Sequence, residues 1–249
     1  MIPYSDPSAP NRVFPYVNIG LIVVNFLVFF YELSLQAQGT SVLNHFYLDY
    51  SLVPCEYTGA CHPYAGTPSP FWITLFTSMF MHAGWLHILG NMVFLWVFGD
   101  NIENATGHVR YLIFYLLCGL GANGLEIVTS ASSHVPGLGA SGAIAGVLAA
   151  YLVLFPGSRV KTLLTLGIFF WPVRLPAWVL IGFWILLQFV NGVAALTSVT
   201  AQTQQGGVAY WAHVGGFITG AVLIWLFRHP ERTQQMQTYH RSYPGMNSG

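Results

Sequence analysis

The sequence predicts an all-α protein that crosses a membrane six times, and three observations lead there. Its 249 residues are 54% hydrophobic and only 6% charged, where soluble domains carry about 25% charged residues. Six apolar stretches each approach the roughly 20 residues that a helix needs to cross a bilayer. Alternating crossings then place all 8 basic residues on one side.

The expected spans are Phe14–Leu35, Met81–Gly99, Val109–Thr129, Gly137–Phe155, Ala177–Leu196 and Val208–Phe227. The first run exceeds the apolar core of a secretory signal and has only Arg12 as a preceding basic residue, so it reads as a retained span. The stretch Lys161–Trp171 is apolar but short, and it runs into Pro172 and Pro176. Periodicity leaves open whether it lies at the interface or begins the fifth span early.

Arg12 precedes span one, Arg110 separates spans two and three, and Arg159, Lys161 and Arg174 separate four and five. Arg228, Arg232 and Arg241 follow span six. The positive-inside rule makes their side cytoplasmic, with both termini. The chain thus divides into a tail, 1–12, a six-helix unit, 13–228, and a second tail, 229–249. Both tails are polar and are expected to be mobile. The expected location is a cell membrane, specifically a bacterial inner membrane. Net charge is zero and no basic stripe is visible, so the expected environment is the lipid bilayer and nucleic acid is not an expected partner. Three cysteines form neither a disulfide framework nor a common zinc pattern. Cys55 and Cys61, in an outer loop, suit a bridge or two reduced thiols equally.

Strongly polar residues are costly inside a bilayer and mark candidate sites. Gly139-Ala140-Ser141-Gly142 opens span four. Taken alone, helix packing explains it, because Gly142 and Gly146 have small-xxx-small spacing. Ala212-His213-Val214-Gly215-Gly216 opens span six, where Ala212, Gly216 and Gly220 form a smooth ridge beside His213. His87 and Asn91, four residues apart, share a face of span two. All three spans enter from the outside, and the offsets of His87, Ser141 and His213 from their span ends differ by only about 3 Å of helical rise. One level below the outer surface therefore holds a hydroxyl, a base and two amide or imidazole donors.

That set suits a serine hydrolase. A Ser hydroxyl becomes nucleophilic when a neutral His takes its proton, and a tetrahedral intermediate needs preorganised donors. Ser141, near a helix N-terminus, has free backbone N–H groups beside it. No Asp or Glu is expected at that level, since Asp100 and Glu103 lie at the opposite end of span two, so the reading is a Ser–His dyad with nothing identified to orient the imidazole.

On these residues the sequence resembles the rhomboid intramembrane serine proteases, across roughly Val13 to Phe227. The matching motifs are His87-Ile-Leu-Gly-Asn91, Gly139-Ala-Ser141-Gly142 and Ala212-His213-x-x-Gly216-x-x-x-Gly220. The resemblance implies a six-helix bundle with a water-filled site open to the outside. It implies cleavage of transmembrane segments of single-span or polytopic membrane protein substrates through an acyl-enzyme, with no metal or cofactor. Ser141 carries over as nucleophile, His213 as general base, and His87, Asn91 and the Ser141 N–H as the oxyanion hole. Two positions depart from the pattern. Trp72 is followed by Ile73 where many members have Trp-Arg, and Ala145 stands where some have a Tyr packed on the catalytic His.

Other classes compete. An inactive rhomboid-like protein would bind transmembrane helices without cutting, yet both dyad members are present. A channel or transporter would continue its polar residues to the inner side. A zinc protease needs His-Glu-x-x-His, and an aspartyl type needs two intramembrane Asp residues. Neither pattern occurs. His82, at the outer end of span two, is expected to be an interfacial His. Span five and the loop Thr197 to Gly207 are the expected substrate gate.

Overall fold

A computed structural model describes residues 1–6, 13–166, 169–197 and 208–242. In chain order its elements are β1 (Ile2–Ser5), α1 (Tyr16–Gln38), α2 (Thr40–Tyr50), α3 (Pro54–Thr58), α4 (Thr74–Thr77, between single 3-10 turns), α5 (Trp85–Thr106), α6 (His108–Thr129) and α7 (Ser141–Leu154). They continue with β2 (Arg159–Leu166), β3 (Phe169–Pro176), α8 (Ala177–Thr197), α9 (Tyr210–Phe227) and α10 (Pro230–Ser242). The expected gate loop lies outside the described residues beyond Thr197.

Helices stand at all six expected positions, and the chain is a helical membrane bundle. Among the described residues, α1, α6, α8 and α9 are long and apolar enough to cross a bilayer. A fifth crossing arises if Phe71–Phe80 and α5, bent by 82° at their junction, form one broken span. α7 is shorter, at 14 residues. It is apolar on every side and buried continuously from Gly142 to Tyr151, as befits the central helix of a bundle.

Small residues set how closely that centre packs. A Cβ at Gly216 would strike the carbonyl of Gly142, and one at Gly220 would strike the backbone of Gly146. The backbones of α7 and α9 therefore touch. α6 seals the third side, with Ala122 against Gly142 and Cys118 against Gly146. Lipid is as apolar as Leu, so close van der Waals contact drives this association in place of the hydrophobic effect.

α1 shows the opposite pattern to a soluble helix. Its buried stripe includes Asn18, Asn25 and Glu32, while Val23, Leu27 and Phe30 face outward. Asn18 and Glu32 bond to other elements of the bundle. The Asn18 amide donates to the carbonyl of Leu95, and its oxygen accepts from Tyr111. At the start of α1, the N–H groups of Val17 and Asn18 donate to Glu103 at 3.0 and 2.7 Å, satisfying two donors that a helix N-terminus leaves open.

Two expectations need correction at this level. The stretch Lys161–Trp171 does not begin the fifth span early: its described residues are extended. It belongs to the antiparallel pair β2–β3, which runs from Arg159 opposite Pro176 to Leu166 opposite Phe169. β1 adds a third strand on β2. Branched and aromatic residues favour strands, and β3 is an edge strand, where Pro172 is tolerated. The polar tails hold ordered structure too. Asp6 accepts from Asn101 and Tyr151, and the side chain of Gln237 donates to the carbonyl of Leu154. The sheet and α10 thus cap the end of the bundle that carries the basic residues.

The outer segment after α1 is anchored to the bundle by hydrogen bonds. Leu52 pairs with Gly137 through two backbone hydrogen bonds, and Cys55 N–H donates to the Ser133 carbonyl. Thr58 and Thr77 donate to the carbonyls of Ala131 and Tyr50. Cys55 and Cys61 are joined in a disulfide. These contacts anchor the segment where Trp72-Ile73 replaces the Trp-Arg pair, and they join it to the loop that precedes Ser141.

Candidate active site

Ser141 is the first residue of α7, and Gly139 before it adopts φ +131°, a conformation favouring glycine. The N–H of Gly139 donates to the Ser78 carbonyl at 2.8 Å. The Asn123 side chain holds the same turn from α6, donating to the carbonyl of Leu75 and to Ser78 Oγ. A short, pinned loop therefore presents the Ser141 hydroxyl at the end of the central helix.

His213 reaches it from α9. Its Nε2 lies 2.8 Å from Ser141 Oγ, and its Nδ1 lies 2.9 Å from Oε1 of Gln188 on α8. The ring is buried, and the indole of Trp184 lies 5.5 Å from it. Gln188 and Trp184 were not singled out in the sequence, although both sit on one face of a membrane helix, one turn apart. Together they contact the ring that has only Ala145 on α7 where the resemblance would place a Tyr.

His87 and Asn91 complete the cluster from α5. The N–H of Ala83 donates to Nδ1 of His87, so the ring proton sits on Nε2. That Nε2 packs over Gly139: a Cβ built there would be 2.8 Å from it and 3.6 Å from Ser141 Oγ. The Asn91 side chain is buried, and its amide nitrogen has no hydrogen-bond partner among the described residues. An unmet buried donor costs roughly 1–3 kcal/mol, and it is aligned on the same face as His87. His87, Ser141 and His213 thus converge, Asn91 lies one turn along α5 from His87, and Gly142, Gly146, Gly216 and Gly220 are the contacts that let α7 and α9 meet.

Two carboxylates depart from the expectation that none lies at this level. Glu32, fully buried in α1, accepts the N–H of His82 with both oxygens. Glu126, near the outer end of α6, accepts the N–H of Ala212 and the hydroxyl of Ser130. Neither touches the His213 ring. His82 is not interfacial: it is fully buried, its carbonyl accepts from Tyr47, and its ring meets His87 edge-on at 5.0 Å. Among the described residues, Cys55, Cys61 and His134 bring potential metal ligands within 4.8 Å of one another, but the disulfide occupies both sulfurs.

A family model for the Rhomboid domain matches residues 70–230, which include every residue of this cluster. The chain belongs to the rhomboid family. Among its rhomboid relatives is the Rhomboid-like protein 11, chloroplastic, of Arabidopsis thaliana, 30% identical over 63% of this chain and 53% of the relative. The presenilin-associated rhomboid-like protein, mitochondrial, of Mus musculus is 33% identical over 61% of this chain and 39% of its own length. The Rhomboid protease GluP of Bacillus subtilis is 35% identical over 39% of this chain and 18% of its own. The chain spans about half, or less, of the relatives it matches. The apolar helices and the family match support a multi-pass membrane protein, and these names, which span chloroplast, mitochondrion and bacterium, do not favour the bacterial inner membrane.

Proposed function

We propose that this rhomboid is an intramembrane serine endopeptidase that cleaves transmembrane segments of membrane proteins. The observation that carries the reading is the 2.8 Å approach of Ser141 Oγ to His213 Nε2. It lies within the 2.6–3.2 Å reach of a nucleophile and its base, about what proton transfer requires. Ser141 attacks the scissile carbonyl as its proton passes to Nε2. The oxyanion forms beside the His87 Nε2–H, the unpartnered Asn91 amide and the free N–H of Ser141. His213 then gives the proton to the leaving amine, which departs and leaves an ester on Oγ. Water deprotonated by the same ring hydrolyses that ester and regenerates the hydroxyl. No step calls on a metal or cofactor. Both termini face the cytoplasmic side in this reading, with the basic residues, and the site opens near the other face.

Cleavage of a tagged single-span substrate by purified protein in detergent tests the assignment. Wild type is expected to cut, and Ser141→Ala and His213→Ala to be folded and inactive. Wild type that cuts nothing and leaves Ser141 unlabelled by a fluorophosphonate would instead make this an inactive member that binds helices.

A further inference from the structure

A dyad lacks the acidic residue that orients the imidazole in a Ser–His–Asp triad, and the two nearby carboxylates do not reach the ring. Gln188 does. Its Oε1 lies 2.9 Å from His213 Nδ1. An amide oxygen only accepts, so Nδ1 must carry the proton. Nε2 is then left with its lone pair toward Ser141 Oγ at 2.8 Å, which is the form that can act as base. The amide cannot be turned round without loss, because its Nε2 donates to the Trp184 carbonyl one turn earlier at 3.3 Å. Reversal would set the amide oxygen against the Trp184 carbonyl oxygen.

We propose that Gln188 is a positioning residue, holding His213 in the tautomer and orientation that deprotonate Ser141. The inference rests on the protease reading. It also accounts for the use of a neutral partner. A carboxylate at Gln188 would add a charge inside the bilayer, which is costly, whereas an amide selects the same tautomer without one. Trp184 supports the arrangement twice, by its carbonyl on the amide and by its ring beside the imidazole. The positioning group therefore belongs to α8, whose outer face is apolar and exposed at Phe183, Leu187 and Val190. The base is aligned only while α8 is seated against α9.

The test compares wild type, Gln188→Leu and Gln188→Glu in the detergent cleavage assay, with thermal unfolding as a check on folding. Leu keeps the bulk and removes the acceptor. It is expected to lower kcat at least about tenfold with KM little changed, a part of what general-base catalysis supplies. Glu keeps an acceptor and is expected to restore kcat to within a few-fold of wild type. Slower fluorophosphonate labelling of Ser141 should follow the same order. If Gln188→Leu is folded and cuts with the kcat of wild type, the positioning role is wrong while the dyad stands. If Gln188→Leu unfolds, the Glu variant decides: Glu as inactive as Ser141→Ala in a folded protein also overturns the role. Wild type that neither cuts nor labels overturns the protease reading, and this inference with it.

Discussion

The carboxylate of Glu126 accepts the backbone N–H of Ala212 at 3.1 Å, one residue before His213. The first turn of a helix has donors without intrahelical partners, and here a buried side chain of α6 meets one of them at the start of α9. Its second oxygen accepts from Ser130 at 2.8 Å, so the carboxylate is itself held in place. The contact determines where α9 begins, and with it the height of the imidazole over Ser141. Glu126→Ala is expected to destabilise the protein by about 1–2 kcal/mol, the usual cost of losing a helix cap. Its kcat should fall at least about tenfold, since small misplacements of a catalytic group are expensive. Glu126→Gln retains an acceptor for Ala212 and should stay close to wild type in both. Cleavage kinetics and thermal unfolding in detergent measure the two effects.

Asn91 carries a buried amide nitrogen with no hydrogen-bond partner among the described residues. Removing it should cost the folded state little and the transition state much. Asn91→Ala is expected to unfold at the same temperature as wild type and to lose about 10²–10³ in kcat, as when an oxyanion donor is deleted elsewhere. A similar rise in KM with kcat preserved would make Asn91 a substrate-binding residue.

Gly216 lies against the carbonyl of Gly142, with no room for a methyl group. Gly216→Ala must push α9 off α7, separating Ser141 from His213 as well as straining the core. A loss of at least about 3 kcal/mol is expected, at the upper end of overpacking costs. Gly20, on α1, has nothing within 4 Å of an added Cβ. Gly20→Ala should be neutral or slightly stabilising. Thermal unfolding of the pair separates crowding from helix propensity.

His240 on α10 is a pH-sensitive contact at the other end of the molecule. Its ring stacks on Phe155 at 4.9 Å, and its Nδ1 meets Ser158 Oγ. Burial lowers its pKa to about 4, from an unfolded value of about 6.5. Between those values the unfolded chain binds the extra proton, so stability rises with pH across that window and is lost as pH falls through it. Limited proteolysis of the C-terminal segment should accelerate as pH falls from about 6.5 to 4, the span over which that linkage acts. His240→Phe keeps the stack and should flatten the dependence. An unchanged acid response in that variant would assign the effect to another group.

The site was legible wherever polar groups stood out against an apolar background. His87, Asn91, Ser141 and His213 were identifiable because a bilayer makes each exceptional, and helical spacing put them at one depth. Gln188 was not, since a lone amide near the middle of a span looks like any interhelical hydrogen-bonder until its partner is known. Glu32 was missed for a related reason. Its partner is the backbone N–H of His82, 50 residues away, and backbone donors leave no mark in a sequence.

The fold divides the same way. Hydropathy located the six helices, because the cost of burying charge in lipid acts on each segment locally, and the basic residues suggested how the helices alternate. Hydropathy also made β2–β3 ambiguous, since a short apolar run suits a strand or a partial span equally. Pairing with β1, from the far end of the chain, resolved it. The polarity of the tails suggested mobility, yet their hydrogen bonds to Asn101, Tyr151 and Leu154 order them against the bundle. By itself the sequence determined which residues are apolar enough to enter the membrane and which polar ones enter with them. Only the tertiary structure decided which of those polar groups touch, because contact between helices depends on backbone separations of a few tenths of an ångström at glycines such as Gly142 and Gly216, and packing at that scale is a property of all the helices at once.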